Sequence, residues 1–83
     1  MSTGPEPGMD SPLYAKLALW RLERARDEEV PAYIVFHNRV LAAIAEANPS
    51  SRAELGEIPG VGPAKLDRYG DDVLVVLKSD FAP

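Results

Sequence analysis

The stretch whose residue types and spacing could do chemistry is Ile58-Pro59-Gly60-Val61-Gly62-Pro63-Ala64-Lys65. Glycines at 60 and 62 allow backbone angles that a Cβ resists, and Pro63 presets φ for the first turn of a helix. The chain therefore enters, reverses and restarts as helix within a few residues. A helix start reached in this way leaves amide N–H groups with no intrahelical acceptor, able to hold a phosphate, a carbonyl or water. Lys65 lies about one turn in. A dinucleotide fingerprint does not fit, because no strand precedes the turn and position 65 is not glycine. A phosphate-binding loop of the Gly-Lys-Ser/Thr kind does not fit either, since the chain reads Gly62-Pro63-Ala64-Lys65. A helix-hairpin-helix type of turn, which grips a nucleic-acid backbone through its amides, and a plain turn between helices both remain.

Other chemistry is thinly represented. His37 is the single histidine and the chain has no cysteine, so neither a metal site nor a thiol nucleophile is expected, and His37 reads as a capping or surface imidazole. Asp71-Asp72 reads as a helix cap with a dipole partner. Ser2, Ser11, Ser50, Ser51 and Ser79 fall in no nucleophile motif. The sequence therefore predicts no catalytic residue, no metal and no cofactor, and an enzyme is the weakest hypothesis.

The elements that position the turn must be small. At 83 residues the chain has room for one domain with one core, burying roughly 60% of its unfolded surface. Thirteen acidic residues outnumber nine basic ones, a net charge of −4 that opposes strong unaided nucleic-acid binding while leaving a local basic patch possible. The longest apolar run, Val73 to Leu77, is far short of a membrane span, and the N-terminus lacks a basic and apolar leader pattern. These features fit a soluble intracellular domain.

Residues 1–11, with Gly4, Pro5, Pro7 and Gly8, have the composition of a flexible linker and point to a piece of a longer protein. Residues 12–79 form the expected folded domain, and residues 80–83 a tail. Ser11 and Pro12 should open a helix running to about Glu28. At about 100° per residue, Leu13, Leu17 and Trp20 share one stripe with Tyr14 beside it, whereas Ala15, Ala18, Leu19 and Leu22 fall on the other side. Such a helix has two apolar faces, and the second must pack internally or meet a partner. Asp27, Glu28 and Glu29 oppose the macrodipole and should fray its end.

Val30 to Phe36 reads as an apolar packed turn, with Pro31 barring continuation and Tyr33 at its edge. Asn38 can cap a second helix to Asn48, with Val40, Leu41, Ile44 and Ala47 on one stripe. Ser51-Arg52-Ala53-Glu54 fits a capping box for a short third helix whose Leu55 and Ile58 face inward. After the central turn, a helix from Pro63 should stop at Gly70, and Asp71 should cap a last helix, 72–78. The expected fold is an all-α monomeric bundle with a core of Leu17, Trp20, Phe36, Leu41, Ile44, Leu55, Leu66 and Leu77.

The order of these segments resembles the HRDC domain, the helicase and RNase D C-terminal module. The resemblance rests on Leu13-Tyr14-x-x-Leu17, Val30-Pro31-Ala32-Tyr33-Ile34-Val35-Phe36, Leu41, Ile44-Ala45, Pro49, Glu54-Leu55, Ile58-x-Gly60-Val61-Gly62-x-x-Lys65-Leu66 and Tyr69-Gly70. It covers about Leu13 to Leu77. The Pro-x-Tyr-x-x-Phe segment followed at this distance by the Gly-Val-Gly turn is its most specific part. The resemblance implies a compact, non-catalytic bundle of about five short helices, attached to RecQ-like or UvrD-like helicases or to RNase D, which tunes the DNA or RNA structures its parent enzyme engages. It also implies a cytoplasmic, nucleoid-associated or otherwise intracellular setting and no membrane contact.

Carried over by position, the nucleic-acid candidates are Tyr33, Arg39, Lys65 and Arg68, and the turn amides at Gly60 to Gly62 join them. Two departures weigh against direct DNA binding. The net charge is negative, and Ala18, Leu19 and Leu22 occupy a first-helix face where DNA-binding relatives often carry Lys or Arg. The favoured reading is therefore contact with other domains of the parent helicase, through Leu19 and Leu22 ringed by Glu23 and Asp27. Weak DNA binding through the basic candidates is the alternative.

Overall fold

Ser11 and Pro12 start the first helix as their types demand. In the computed structural model, which describes residues 11–79, the Ser11 hydroxyl accepts the Tyr14 amide at 3.0 Å and Pro12 occupies the first turn. All of the expected linker but Ser11, and the tail, lie outside the described residues. Helix α1 spans Pro12–Glu28. Its end is closed rather than frayed, because Glu29 turns left-handed at φ 58° and the Val30 amide reaches back to the Ala25 carbonyl at 3.0 Å.

The segment expected as a packed turn contains a single helical turn, α2, Ala32–Val35. Pro31 ends what precedes it, but its fixed φ of −62° is compatible with starting a new helix, and the Ile34 amide bonds its carbonyl at 3.0 Å. The turn buries Val35 and Phe36 and leaves Tyr33 and Ile34 outside.

Helix α3 spans Asn38–Ala47, so Asn38 is its first residue and His37 its cap, without a side-chain bond. Leu41, Ala42, Ile44 and Ala45 are buried, whereas Ala47 is exposed, which moves the buried stripe towards Ala45. Asn48 closes α3 in the left-handed region at φ 47°, a conformation its short polar side chain tolerates. Helix α4, Arg52–Gly56, is capped by the Ser51 hydroxyl accepting the Glu54 amide at 3.2 Å. The Glu54 carboxylate accepts the Ser50 amide at 2.8 Å, one residue earlier than a capping box requires.

The largest departure from the sequence reading is α5, one continuous helix over Pro63–Lys78. Gly70 does not stop it. A Cβ there would lie 3.0 Å from Leu66 Cδ1 and 3.3 Å from Arg52 Nη1, so this glycine serves close packing. Asp71 and Asp72 cap nothing: Asp71 pairs with Arg52 at 2.7 Å and Asp72 with Arg24. Their sequence signals were real, but tertiary partners took them.

The five helices, with no strand among the described residues, make an all-α bundle in which α1 packs on α2, α3 and α5, and α4 on α5. Leu17, Val35, Leu41, Ile44, Leu55 and Val73 are fully buried, with Phe36 and Leu77 beside them. Trp20 and Leu66 are partly buried against this core. The Trp20 ring meets Tyr69 edge-on at 5.7 Å and Phe36 at 6.2 Å, so it seals the bundle rather than filling its centre.

Candidate nucleic-acid interface

Gly60 is fixed by two independent demands. Its φ is +97°, and a Cβ would stand 2.5 Å from Val40 Cγ2, so the turn between α4 and α5 can press against α3 only without a side chain. The Val61 amide closes the turn on the Ile58 carbonyl at 3.0 Å, and Val61 is buried. Gly62 differs. It caps α5 in extended backbone, at φ −79° and ψ 176°, and a Cβ there would meet nothing within 4 Å. The amides of Ala64 and Lys65 follow in the first turn of α5, before the Leu66 amide makes its 2.9 Å bond to the Gly62 carbonyl.

This turn, α2 and the start of α3 enclose a cleft of about 200 Å³ lined by Tyr33, Ile34, Phe36, His37, Val40, Gly60 and Lys65. Three of the sequence candidates, Tyr33, Gly60 and Lys65, thus meet at one place. Tyr33 is 56% exposed, with its ring centroid 5.8 Å from that of His37 and the planes 32° apart. His37, expected as a capping or surface imidazole, is exposed at the cap position of α3 and also lines the cleft, a placement that no local spacing signals because Tyr33 belongs to α2. Lys65 Nζ donates to the Ile34 carbonyl and lies 5.7 Å from the ring centroids of both Phe36 and Tyr69. Arg68 sits outside the cleft lining, its guanidinium 5.6 Å from the Tyr69 ring. Arg39 is exposed on α3, away from the cleft lining, and Gly62 does not line it.

A carboxylate not named among the site candidates holds Arg68 and Tyr69. Glu28 Oε1 accepts the Tyr69 hydroxyl at 2.8 Å and pairs with Arg68 Nη2 at 3.3 Å. The Tyr69 bond first, and Arg68 second, hold the Glu28 carboxyl below its ordinary 4.5, against some desolvation. Burial, then the hydrogen bond to Glu28, push the Tyr69 hydroxyl up. The sign for stability follows from the lowered carboxyl. Ionised Glu28 contributes in full above its unfolded value, near 4.5, and the contribution is lost as pH falls through the lower folded value. Compared with Glu28→Gln, the wild-type chain is expected to lose more of its urea midpoint between pH 7 and pH ~3. Parallel midpoint curves for the two proteins would exclude the coupling.

The second candidate surface lies on α1. Leu19 and Leu22 are 47% and 44% exposed, and Glu23 and Asp27 are exposed beside them. Arg26 is exposed too, one turn beyond Leu22, so the acidic rim drawn from Glu23 and Asp27 includes a cation. Among the described residues no group of His, Cys, Asp and Glu is arranged to hold a metal ion, and no helix is long and apolar enough to cross a membrane.

Residues 10–77 match the family model of the HRDC domain. The ATP-dependent DNA helicase UvrD2 of Mycobacterium tuberculosis (strain H37Rv) is 46% identical over 70 residues, covering 84% of this chain and 10% of that protein. The ATP-dependent DNA helicase RecQ of Haemophilus influenzae is 36% identical over 73 residues, covering 88% of this chain and 12% of that protein. Among solved structures, HRDC domain 3 of D. radiodurans RecQ superposes with a TM-score of 0.77 at 33% identity, covering 80% of this chain and 87% of that one. The chain spans about a tenth of the length of the curated relatives it matches.

Proposed function

The chain belongs to the HRDC domain family, and from that premise we propose that it is a non-catalytic accessory domain of an intracellular DNA helicase, tuning which DNA structures the enzyme engages and unwinds. The main contact in this reading is with other domains of the same polypeptide, made by the outer face of α1. The observation that carries it is the exposure of Leu19 and Leu22 on a helix whose opposite face already supplies the core. Glu23 and Asp27 border that face and favour a basic partner surface, with Arg26 offering one position to an acid. A tether to the parent supplies a high effective concentration, so a small interface suffices.

The test compares the parent helicase intact, without residues 12–79, and with Glu23→Lys plus Asp27→Lys, across several DNA forms. Deletion and charge reversal are expected to shift substrate preference in the same direction. An enzyme indifferent to the deletion, or sensitive only to Tyr33 and Lys65 variants, would show that the α1 face is not how the domain acts.

A second reading, weak binding of single-stranded DNA, is favoured by the exposed Tyr33 at a cleft that Lys65 also lines. An aromatic platform beside a cation suits a base and its phosphate. With a net charge of −4, the affinity belongs in the ~10⁻⁴–10⁻⁶ M range of non-specific binding or below it.

A further inference from the structure

We propose that Glu28 is a built-in competitor of phosphate, neutralising Arg68 and so lowering the affinity of this surface for single-stranded DNA. The inference rests on the second reading above.

The two candidate cations flank one ring but are held differently. Lys65 Nζ lies 5.7 Å and the Arg68 guanidinium 5.6 Å from the centroid of Tyr69. Lys65 donates to the Ile34 carbonyl, a neutral acceptor that brings no opposing charge. Arg68 instead faces the Glu28 carboxylate at 3.3 Å. Carboxylate and phosphate oxygens use the same guanidinium donors, so an arriving phosphate must displace Glu28 or share the fork with it.

Glu28 is well placed to persist as a competitor. Its side chain is 19% exposed, against 64% for Arg68, and the Tyr69 hydroxyl holds the same carboxylate oxygen at 2.8 Å. The anion is therefore anchored while the cation is loose. An ion pair with so exposed a partner adds little to stability, and acidic charge in the last turn opposes the helix dipole, so folding alone gives Glu28 small return for its charge. Its effect on the local field is larger, because it cancels Arg68 beside Lys65.

The experiment is a low-salt titration of labelled oligothymidylate with the 83-residue chain and its variants. Glu28→Gln keeps an oxygen for the Tyr69 hydroxyl and removes the charge. It is expected to tighten binding about two- to fivefold, the size of an exposed ion pair. The logarithmic salt slope should steepen by about 0.7 as one more phosphate contact forms. The gain should vanish in the Arg68→Ala background. Glu29→Gln, with the same change in net charge at the neighbouring residue, should give a smaller gain and an unaltered slope. If Arg68→Ala weakens binding but Glu28→Gln leaves it at the wild-type level, or if the Glu28→Gln gain survives without Arg68, Glu28 is no competitor and the proposal fails while the DNA reading stands. If neither Lys65→Ala nor Arg68→Ala alters binding, or the oligonucleotide does not bind to any variant, the DNA reading fails and takes the proposal with it.

Discussion

Leu17→Ala is expected to lower the unfolding free energy by about 2–5 kcal/mol. Leu17 is fully buried on α1, in the cluster that includes Leu41, Ile44, Leu55 and Val73. At about 0.05–0.15 kcal/mol per residue the whole domain has about 4–12 kcal/mol to lose, so this one truncation removes a large share. The informative comparison is Leu19→Ala on the same helix. Leu19 is 47% exposed, and its loss should stay within about 0.5 kcal/mol. Urea denaturation of both variants reads the difference directly. Equal midpoints would mean that α1 buries both faces equally, and the outer face would no longer be available to a partner.

That comparison also marks where the sequence was informative. Leu13, Leu17 and Trp20 fall on one stripe by spacing alone, and this is the stripe that α1 turns inward. The start of α1 at Ser11-Pro12 and the cap of α4 at Ser51 were legible because capping chemistry is local. The misreadings share a different cause. Gly70 followed by Asp71-Asp72 carries the local signature of one helix ending and another beginning, yet Arg52 and Arg24 pair with those aspartates across the bundle. Gly70 lies one turn after Leu66 inside α5, and a Cβ there would come within 3.3 Å of the Arg52 guanidinium from α4. Neither arginine is near its aspartate in sequence, so no local rule could find the pairs. Glu28 is the same case at the candidate site: its 41-residue separation from Tyr69 hides the contact, and locally it was only an acid at the wrong end of a helix. Tyr33, Gly60 and Lys65 could each be named in advance, but the cleft that unites them depends on α2 forming a helical turn beside the start of α5.

Gly60→Ala should be the most disruptive change at the site, although it adds a single carbon. The residue sits at φ +97°, where an L side chain is strained by about 1–3 kcal/mol, and the new Cβ meets Val40 Cγ2 at 2.5 Å. Overpacking of that kind costs about 1–3 kcal/mol more. The two causes can be separated, because Val40→Ala removes the colliding methyl and leaves φ unchanged. The double variant should therefore be more stable than the sum of its parts predicts, by about the overpacking cost. Gly62→Ala is the internal control: its φ of −79° is ordinary and nothing lies within 4 Å of the added atom. Its cost should stay below about 1 kcal/mol, the scale of a change at a helix N-cap. The contrast bears on function, because the turn at Gly60 delivers the start of α5 and with it Lys65 and Arg68. Loss of oligonucleotide binding in Gly60→Ala should consequently be accompanied by a lowered melting temperature, whereas Gly62→Ala should keep its fold and report only on access to the amides of Ala64 and Lys65. If thermal melts find Gly60→Ala as stable as Gly62→Ala, the close approach of the turn to α3 is wrong, and the cleft between Tyr33 and Lys65 loses the contact that shapes it.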